Sequence, residues 1–314
     1  MRTLHRLALP LSLAAALALP IGAGAKLVVG ISDQNSATFS DPLYAAAKLT
    51  IARYVVPFDV TSDPSQAGRL EAWLTAARAA NQKTLISFEH SRRGRRAAGK
   101  LPSAAAYKKA ITAFKKRYGS QVDDISPWNE VDRKYVASRG EGQPTWNKPA
   151  MVATYYGVAR KVFKGKHIVA LDILDQANVN FALRYIRSFR SAVRKQHLPT
   201  PKIWGLHPYS DINRFSTSRT RKMLQATGSG DVWLTEASGI VRFGSGFPYS
   251  ETRAAAANRC MFTIAKLSSR IKRLYVFGWG AGGTFDSGLI GANGTPRAGY
   301  SVVKKRQAGR CKKP

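Results

Sequence analysis

The sequence has few of the residues that build metal centres and disulfide-rich scaffolds. Among 314 residues there are two cysteines, Cys260 and Cys311, and five histidines. No C-x-x-C pair and no H-x-x-x-H spacing occurs, so nothing supports a cysteine or histidine metal site. In an oxidising compartment an even cysteine count favours one disulfide, here between Cys260 and Cys311. The alternative is two unpaired buried thiols.

Acidic residues are also scarce. There are 18 Asp and Glu against 50 Lys and Arg, which gives a formal net charge of +32. An excess of this size draws a protein to acidic polysaccharide, phospholipid headgroups or nucleic acid. The alternative is a solvated basic surface that keeps the chain soluble. Because no recognition helix, zinc motif or aromatic single-strand platform accompanies the charge, we expect no specific nucleic-acid partner.

Long apolar runs are missing after the first part of the chain. Residues 1–25 begin with Arg2 and Arg6, continue with a short apolar run and end in small residues at Ala25. This order predicts a secretory signal peptide, with a retained membrane anchor as the alternative. We therefore expect a secreted, extracellular protein whose residues 26–314 form one domain.

Short apolar runs alternate with amphipathic segments throughout residues 26–314. The strand-like runs are 27–32, 52–58, 83–90, 122–130, 167–174, 202–209, 231–238 and 273–280. The best-marked helices are 63–80, 103–119, 178–196, 250–269 and 296–307. Parallel strands covered on both faces are apolar at successive positions, and eight strand–helix units at this length favour a closed barrel. The predicted fold is therefore α/β, a single (β/α)8 TIM barrel, and the absence of G-x-G-x-x-G argues against a dinucleotide-binding sheet.

Polar residues stand at the predicted carboxyl ends of these strands, where such barrels carry their active sites. Glu130 in SPWNEVD ends the fourth run, and Glu236 in WLTEASG lies near the end of the seventh. Two carboxyls facing each other across a barrel mouth suit glycoside hydrolysis, and their separation decides between retention and inversion. A structural alternative for Glu130 is a carboxylate that caps a helix. The other candidates at this rim are Arg53, Glu89, His90, Asn129, His207, Tyr209 and Trp279.

With Asn129-Glu130 after the fourth strand and Glu236 after the seventh, the chain resembles the clan A glycoside hydrolases. These are retaining enzymes with (β/α)8 barrels. The likeness covers nearly all of the chain after the leader, including residues 286–303, and is nearest to family 39-like or family 5-like members. The chain has Val131 where many relatives have proline, which leaves the finer family assignment open.

The resemblance implies specific roles around the two acids. Glu130 would be the general acid/base and Glu236 the nucleophile, so the pKa of Glu130 should exceed that of Glu236. Asn129 would hydrogen-bond the sugar 2-hydroxyl in the transition state. Arg53 and Tyr209 would hold Glu236 ionised and oriented.

The remaining candidates would line the cleft. Trp279 would offer a stacking platform for the sugar ring in the −1 subsite, and His207 would line the same pocket. Glu89 and His90 would contribute to the cleft further out. The structural alternatives are core packing for Trp279 and an ordinary buried histidine for His207.

Basic residues are concentrated in the predicted loop after the third strand. Residues 91–100 read SRRGRRAAGK, and this loop would lie on the catalytic face. Guanidinium groups suit carboxylate or phosphate binding, so a poly- or oligosaccharide substrate could be an anionic polymer or a neutral β-glycan. The charge also suggests attachment to anionic cell-surface polymers. We expect a monomer that needs no cofactor, and the alternative function is a non-catalytic barrel that binds glycans or anionic polymers through the same cleft.

Overall fold

Strands and helices alternate along residues 27–313, the part of the chain that the computed structural model describes. In chain order the strands are β1 (Val28–Ser32), β2 (Ile51–Pro57), β3 (Lys83–Glu89), β4 (Asp124–Ser126), β5 (His167–Leu174), β6 (Ile203–His207), β7 (Asp231–Ala237), β8 (Arg242–Phe243), β9 (Ile271–Phe277) and β10 (Phe285–Asp286). The α-helices are α1 (Pro42–Ala47), α2 (Pro64–Ala79), α3 (Arg95–Ala98), α4 (Ala104–Tyr118), α5 (Pro149–Val162), α6 (Val179–Lys195), α7 (Tyr209–Asn213), α8 (Ser218–Thr227), α9 (Glu251–Ile264) and α10 (Ala298–Lys304).

Eight of the strands close into a parallel barrel in the order β1-β2-β3-β4-β5-β6-β7-β9. The ring closes where β9 pairs with β1, with Arg273 opposite Val28. The predicted (β/α)8 fold is confirmed. The fourth strand is the main departure, because β4 ends at Ser126, well short of the predicted run 122–130. Pro127 follows it directly and has no N–H to continue the ladder.

The helices begin where side-chain caps satisfy their first N–H groups. The Asp63 side chain accepts from the Gln66 backbone at the start of α2, and Pro64 occupies the first turn. Ser103 caps α4 in the same way, by accepting from the backbone of Ala106. Such caps are typical helix starts, which explains why the sequence located these two helices closely.

The two ends of the barrel interior differ in chemistry. The half nearer the amino ends of the strands is filled by an apolar cluster of Ile51, Leu85, Val169, Ile203, Trp233 and Tyr275. Arg273 lies 3.7 Å from the ring centre of Trp233 and forms a 2.5 Å ion pair with the buried Asp124. The carboxyl end instead carries buried polar and charged side chains, so the fold directs its chemistry to that end.

The predicted disulfide is confirmed. Cys260 in α9 is bonded to Cys311 in the tail beyond α10, with their Cα atoms 4.6 Å apart. The bond fastens the last described residues to the outer helical layer.

Replacing both cysteines by serine is expected to lower the free energy of unfolding by about 2–4 kcal/mol, because the bond closes a long loop in the unfolded chain. The sequence separation of the two cysteines is 51 residues. Urea unfolding of the double variant, with the reduced wild-type protein as the matched control, measures this effect. An unfolding midpoint equal to that of the oxidised wild type would contradict it.

The predicted signal peptide, residues 1–25, lies outside the described residues. Within residues 27–313 no helix is both long and apolar enough to cross a bilayer.

Candidate active site

Glu130 and Glu236 face each other at the carboxyl end of the barrel. Glu236 lies near the end of β7, and Glu130 lies in the turn after β4. One carboxylate oxygen of Glu130 lies within 4.8 Å of one of Glu236. Retaining glycosidases hold their two carboxyl groups roughly 5–5.5 Å apart, whereas inverting enzymes need roughly 6.5–9.5 Å. The separation therefore suits retention.

The backbone around Glu130 is fixed by its neighbours in the barrel. Glu130 has a φ of 41°, a left-handed conformation that is unfavourable for a residue with a Cβ. The residues on either side of it hold the turn in place, since Asn129 N donates to Phe88 O and Val131 N donates to Asp172 O. Such strain is tolerated where the surroundings determine the conformation, and here it aims Glu130 over the barrel mouth.

Arg53 on β2 is fully buried beneath the two acids. Its Nη1 donates to Glu236 Oε1 at 2.5 Å, and its Nη2 donates to Asn129 Oδ1 at 2.7 Å and to Asp172 Oδ2 at 3.0 Å. Burial opposes the charge, but Asp172 and Glu236 outweigh it and raise the pKa of Arg53. Arg53 thus stays charged and holds one oxygen of Glu236 in place.

Asp172 on β5 is a central residue that the sequence analysis missed. It is completely buried and accepts hydrogen bonds from Arg53, Ser87, Ser126 and Thr235. Burial alone would raise its pKa, but the Arg53 charge, supported by these hydrogen bonds, leaves the pKa of Asp172 below the ordinary value. The available signal was an aspartate inside the otherwise apolar run HIVALDIL.

His207, at the end of β6, shares a proton with Glu130. The Thr235 hydroxyl donates to Asp172 Oδ1 at 2.7 Å, so its oxygen must accept from His207 Nε2, which lies 3.1 Å away. The other ring nitrogen, Nδ1, lies 3.3 Å from Glu130 Oε1. One proton therefore lies between Nδ1 and that carboxylate. Burial opposes the charged ring, but Glu236 and Glu130 outweigh it and raise the pKa of His207.

The protonation of Glu130 depends on its two basic neighbours, His207 and Arg133. Burial raises its pKa, but His207 and Arg133 together lower it further, so the net pKa of Glu130 is below the ordinary value. Arg133 Nη1 lies 3.3 Å from Glu130 Oε2. In the free protein the shared proton is therefore favoured on His207.

Tyr209, at the start of α7, completes the contacts of Glu236. Its hydroxyl donates to Glu236 Oε2 at 3.2 Å. Burial, then the charge of Glu236, raises the pKa of Tyr209, which keeps the phenol protonated and able to donate. Each oxygen of Glu236 therefore accepts a hydrogen bond, Oε1 from Arg53 and Oε2 from Tyr209.

An open cavity of about 920 Å³ lies above these residues. Its charged lining consists of Glu89, Arg92, Glu130, Arg133, Arg139, Glu141, Arg214 and Glu236, and its aromatic lining of Tyr209, Phe243, Phe247, Phe277 and Phe285.

Phe243 in β8 and Phe285 in β10 come together because these two short strands pair antiparallel across the loops that follow β7 and β9. This two-stranded sheet could not be predicted from the sequence, since two-residue strands leave no periodic signal.

Trp279 does not line the cavity, which corrects its predicted stacking role. It is buried, its indole N–H donates to Asp41, and its ring packs edge-on against Tyr300. Gly278 directly before it has a φ of 82°, a conformation that glycine adopts without cost and that lets the chain turn after β9. Phe277 faces the cavity instead.

The other three predicted lining residues, Glu89, His90 and His207, lie in different positions relative to the cavity. Glu89 lines the cavity, where it forms a 2.6 Å ion pair with Arg92. His90 is not among the lining residues, and its Nδ1 lies 2.9 Å from the Ser91 carbonyl. His207 is fully buried below the two acids, so it contacts them from beneath and does not line the pocket.

The acids and the histidine together have the spacing of a cation site. One donor atom from each of Glu130, His207 and Glu236 lies within 4.8 Å of the others. However, Arg53 and Arg133 already contact these carboxylates, and His207 carries part of a shared proton. These positive charges oppose a metal ion, so the arrangement favours proton chemistry.

The fold has solved counterparts among glycosidases, although no family model and no curated protein matches the chain. A GH10 endoxylanase from a sugarcane soil metagenome is 17% identical, with a TM-score of 0.64 over 89% of this chain and 96% of its own. Xylanase 10B from Thermotoga maritima is 13% identical, with a TM-score of 0.64 over 89% and 94%. A GH30 endoxylanase from Clostridium papyrosolvens is 15% identical, with a TM-score of 0.57 over 91% and 73%.

These likenesses confirm the predicted barrel and give no support to family 39 or family 5 specifically. At such low identity they establish the fold alone. The chain has the (β/α)8 barrel fold found in the GH10 and GH30 endoxylanases.

Proposed function

We propose that the protein is a retaining glycoside hydrolase that cleaves β-glycosidic bonds of a poly- or oligosaccharide by double displacement. The observation that carries this proposal is the pair Glu130 and Glu236, with carboxylate oxygens within 4.8 Å, at the carboxyl end of a barrel. The different surroundings of the two acids support different roles. Arg53 and Tyr209 hold Glu236 in place as the nucleophile, while Glu130 shares a proton with His207, as suits an acid/base. The solved counterparts are described as xylanases, which is consistent with a saccharide substrate.

In the first step Glu236 attacks the anomeric carbon while the bond from that carbon to the leaving oxygen breaks. The ion pair with Arg53 holds Glu236 oriented for attack. The departing oxygen takes its proton from Glu130, the second carboxylate of the pair. The products are the released alcohol and a covalent glycosyl ester of Glu236.

In the second step water cleaves the ester. Glu130 takes a proton from the water while the oxygen of the water bonds to the anomeric carbon. The ester bond to Glu236 breaks, and Glu236 leaves as a carboxylate. Asn129 lines the cavity and its Oδ1 accepts from Arg53. Its amide N–H groups therefore remain available to donate to a sugar hydroxyl beside the reacting carbon.

Two finer features of the function are proposals that follow from charge and chemistry. The arginine-lined cavity and the excess of basic residues support a substrate with acidic groups. The disulfide and the N-terminal sequence support an exported protein. Both are tested by assays on neutral and acidic polysaccharides and by locating the protein in cell fractions.

Substitution of Glu130 by glutamine is expected to reduce kcat on the order of 10²–10⁴-fold for glycosides with alkyl leaving groups, which need protonation. Dinitrophenyl glycosides, which leave without a proton, should lose far less in the glycosylation step. Steady-state and burst kinetics on both substrates measure the difference. Glu141→Gln is the matched control, since Glu141 lines the same cavity without contacting either acid.

Equal losses on both leaving groups would contradict an acid role for Glu130. If the wild type cleaves nothing across a panel of neutral and acidic glycans, and Glu130→Gln binds them equally well, the non-catalytic glycan-binding barrel is supported instead.

A further inference from the structure

We propose that Arg133 recognises an acidic substituent of the substrate and that this recognition readies Glu130 to act as the acid. The inference rests on the proposed glycosidase function and concerns how the substrate brings the site into its working protonation state. Arg133 would bind the substrate's carboxylate in place of Glu130. In this way it would couple the binding of an acidic substrate to the protonation of Glu130.

The contacts of Arg133 allow it to change partners. Its side chain is 50% exposed, and it reaches Glu130 through one ion-pair distance of 3.3 Å. Arg53, by comparison, is completely buried and makes hydrogen bonds with all three of its nitrogens. The guanidinium of Arg133 already reaches solvent, and another carboxylate can replace Glu130 as its partner, so Arg133 loses little on the exchange.

Arg133 also determines where the shared proton lies. Its charge favours the ionised form of Glu130, which places the proton on His207 Nδ1, 3.3 Å from Glu130 Oε1. A glycosidic oxygen can be protonated only from the acid form of Glu130. When Arg133 turns to a substrate carboxylate, the proton moves from Nδ1 to Oε1, which leaves neutral His207 and protonated Glu130.

Several charged and titratable groups surround Glu130. They are Arg133 and Asp132 on the same turn, Arg53 on β2, His207 on β6, Glu236 on β7 and Tyr209 on α7. Burial raises the pKa of Asp132 to about 7, and its carboxyl accepts from the Leu174 backbone and from Gln176, away from the cavity. Within this set Arg133 is the cation whose side chain reaches solvent.

The neighbouring arginines indicate the chemical class of the substituent. Arg133, Arg139 and Arg214 all line the cavity, and neither Arg139 nor Arg214 forms an ion pair within residues 27–313. Arg214 lies over the Phe247 ring instead, 5.8 Å from its centre. Guanidinium groups bind carboxylates through two parallel hydrogen bonds, so these side chains suit a sugar acid such as a uronate unit. Glu89 and Glu141 are acids on the same lining that would disfavour an indiscriminate anion site.

The test follows the titration of Glu130 directly and requires no turnover. The side-chain carboxyl carbons of the glutamates are labelled and titrated with pH by NMR, and a Glu130→Gln variant assigns the signal. In Arg133→Gln the pKa of Glu130 should rise by about 1 pH unit, the low end of the effect of removing an opposite charge at this distance. Arg139→Gln, another lining arginine, should titrate like the wild type.

A second arm adds oligoglucuronate, with the carboxyl-reduced oligomer as the neutral control. In the wild type the acidic oligomer should raise the pKa of Glu130 and the reduced oligomer should not. Arg133→Gln should lose this response. Arg133→Lys should keep the titration of the free protein and show a weaker response to the acidic oligomer, because lysine keeps the charge without the planar fork.

An unchanged Glu130 titration in Arg133→Gln, or an equal response to oligoglucuronate with and without Arg133, would overturn the proposal. The failure of the glycosidase function would be seen separately, as an absence of turnover on every glycan. Turnover without any effect on the titration of Glu130 would leave the glycosidase standing and reject the coupling through Arg133.

Discussion

Replacing Glu236 by alanine is expected to reduce turnover by a factor on the order of 10⁴–10⁶, comparable to the loss of a nucleophile in other covalent catalysts. The substitution removes the group that bonds to the anomeric carbon and leaves Arg53 and Tyr209 directed at an empty position. Glu141→Ala, at another acid of the cavity lining, should keep near-wild-type kcat and controls for general loss of charge.

A small anion should restore part of this activity. Sodium azide can enter the space vacated by the Glu236 side chain and attack the anomeric carbon from the same face. The product would be a glycosyl azide of inverted configuration, which NMR identifies. A glycosyl azide of retained configuration would instead indicate that Glu236 is the acid/base and Glu130 the nucleophile. Undiminished turnover by Glu236→Ala would exclude Glu236 as the nucleophile.

Asp172→Asn is expected to produce the largest loss of stability among single substitutions in the site, about 3–5 kcal/mol, because it leaves part of a buried charge uncompensated. Asp172 accepts four side-chain hydrogen bonds, including those from Arg53 and Thr235. An amide cannot accept all of them, since one of its two polar atoms is a donor. Activity should fall as well, because Thr235 orients His207.

Urea unfolding at neutral pH measures this loss, and Asp63→Asn is the matched control. Asp63 caps α2, a position where asparagine serves equally well, so its substitution should change the free energy of unfolding by less than about 0.5 kcal/mol. A similar stability for Asp172→Asn and the wild type would contradict the central role of the carboxylate.

The same substitution should also alter the dependence of stability on pH. The pKa of Asp172 in the folded protein lies below its ordinary value of 3.8. Its contribution to stability is therefore present above that value and is lost as the pH falls through the folded-state pKa. The wild type should lose more stability than Asp172→Asn on acidification from pH 5 to pH 2, as followed by unfolding at each pH.

The sequence predicted the parts of the molecule that depend on local chemistry. Strand runs were apolar at successive positions, and helix starts such as Asp63 and Ser103 were marked by their caps. Because parallel strands in a barrel bring their carboxyl ends to one rim, Glu130 and Glu236 could be placed together without knowledge of their distance. Arg53 and Tyr209 followed in the same way.

The parts that were missed depend on contacts between distant segments. Asp172 was overlooked because its partners come from four other strands and no local pattern joins them. Trp279 was wrongly placed in the cavity because the predicted strand ran on past Phe277, where β9 ends. The turn at Gly278 directs Trp279 away from the cavity, and Phe277 lines the cavity in its place. The protonation of Glu130 likewise depends on His207 and Arg133, whose distances only the folded chain fixes.

The position of the chain ends has a practical consequence for handling the protein. The first described residue, Leu27, precedes β1 at the amino end of the barrel, and α10 returns the chain to the same side before the tail is fastened at Cys311. A tether attached at Leu27 or just after Cys311 would thus leave from the face opposite the cavity. A molecule immobilised on a bead or polymer through either of these points would present its cavity outward, with the approach of a long saccharide unobstructed by the support.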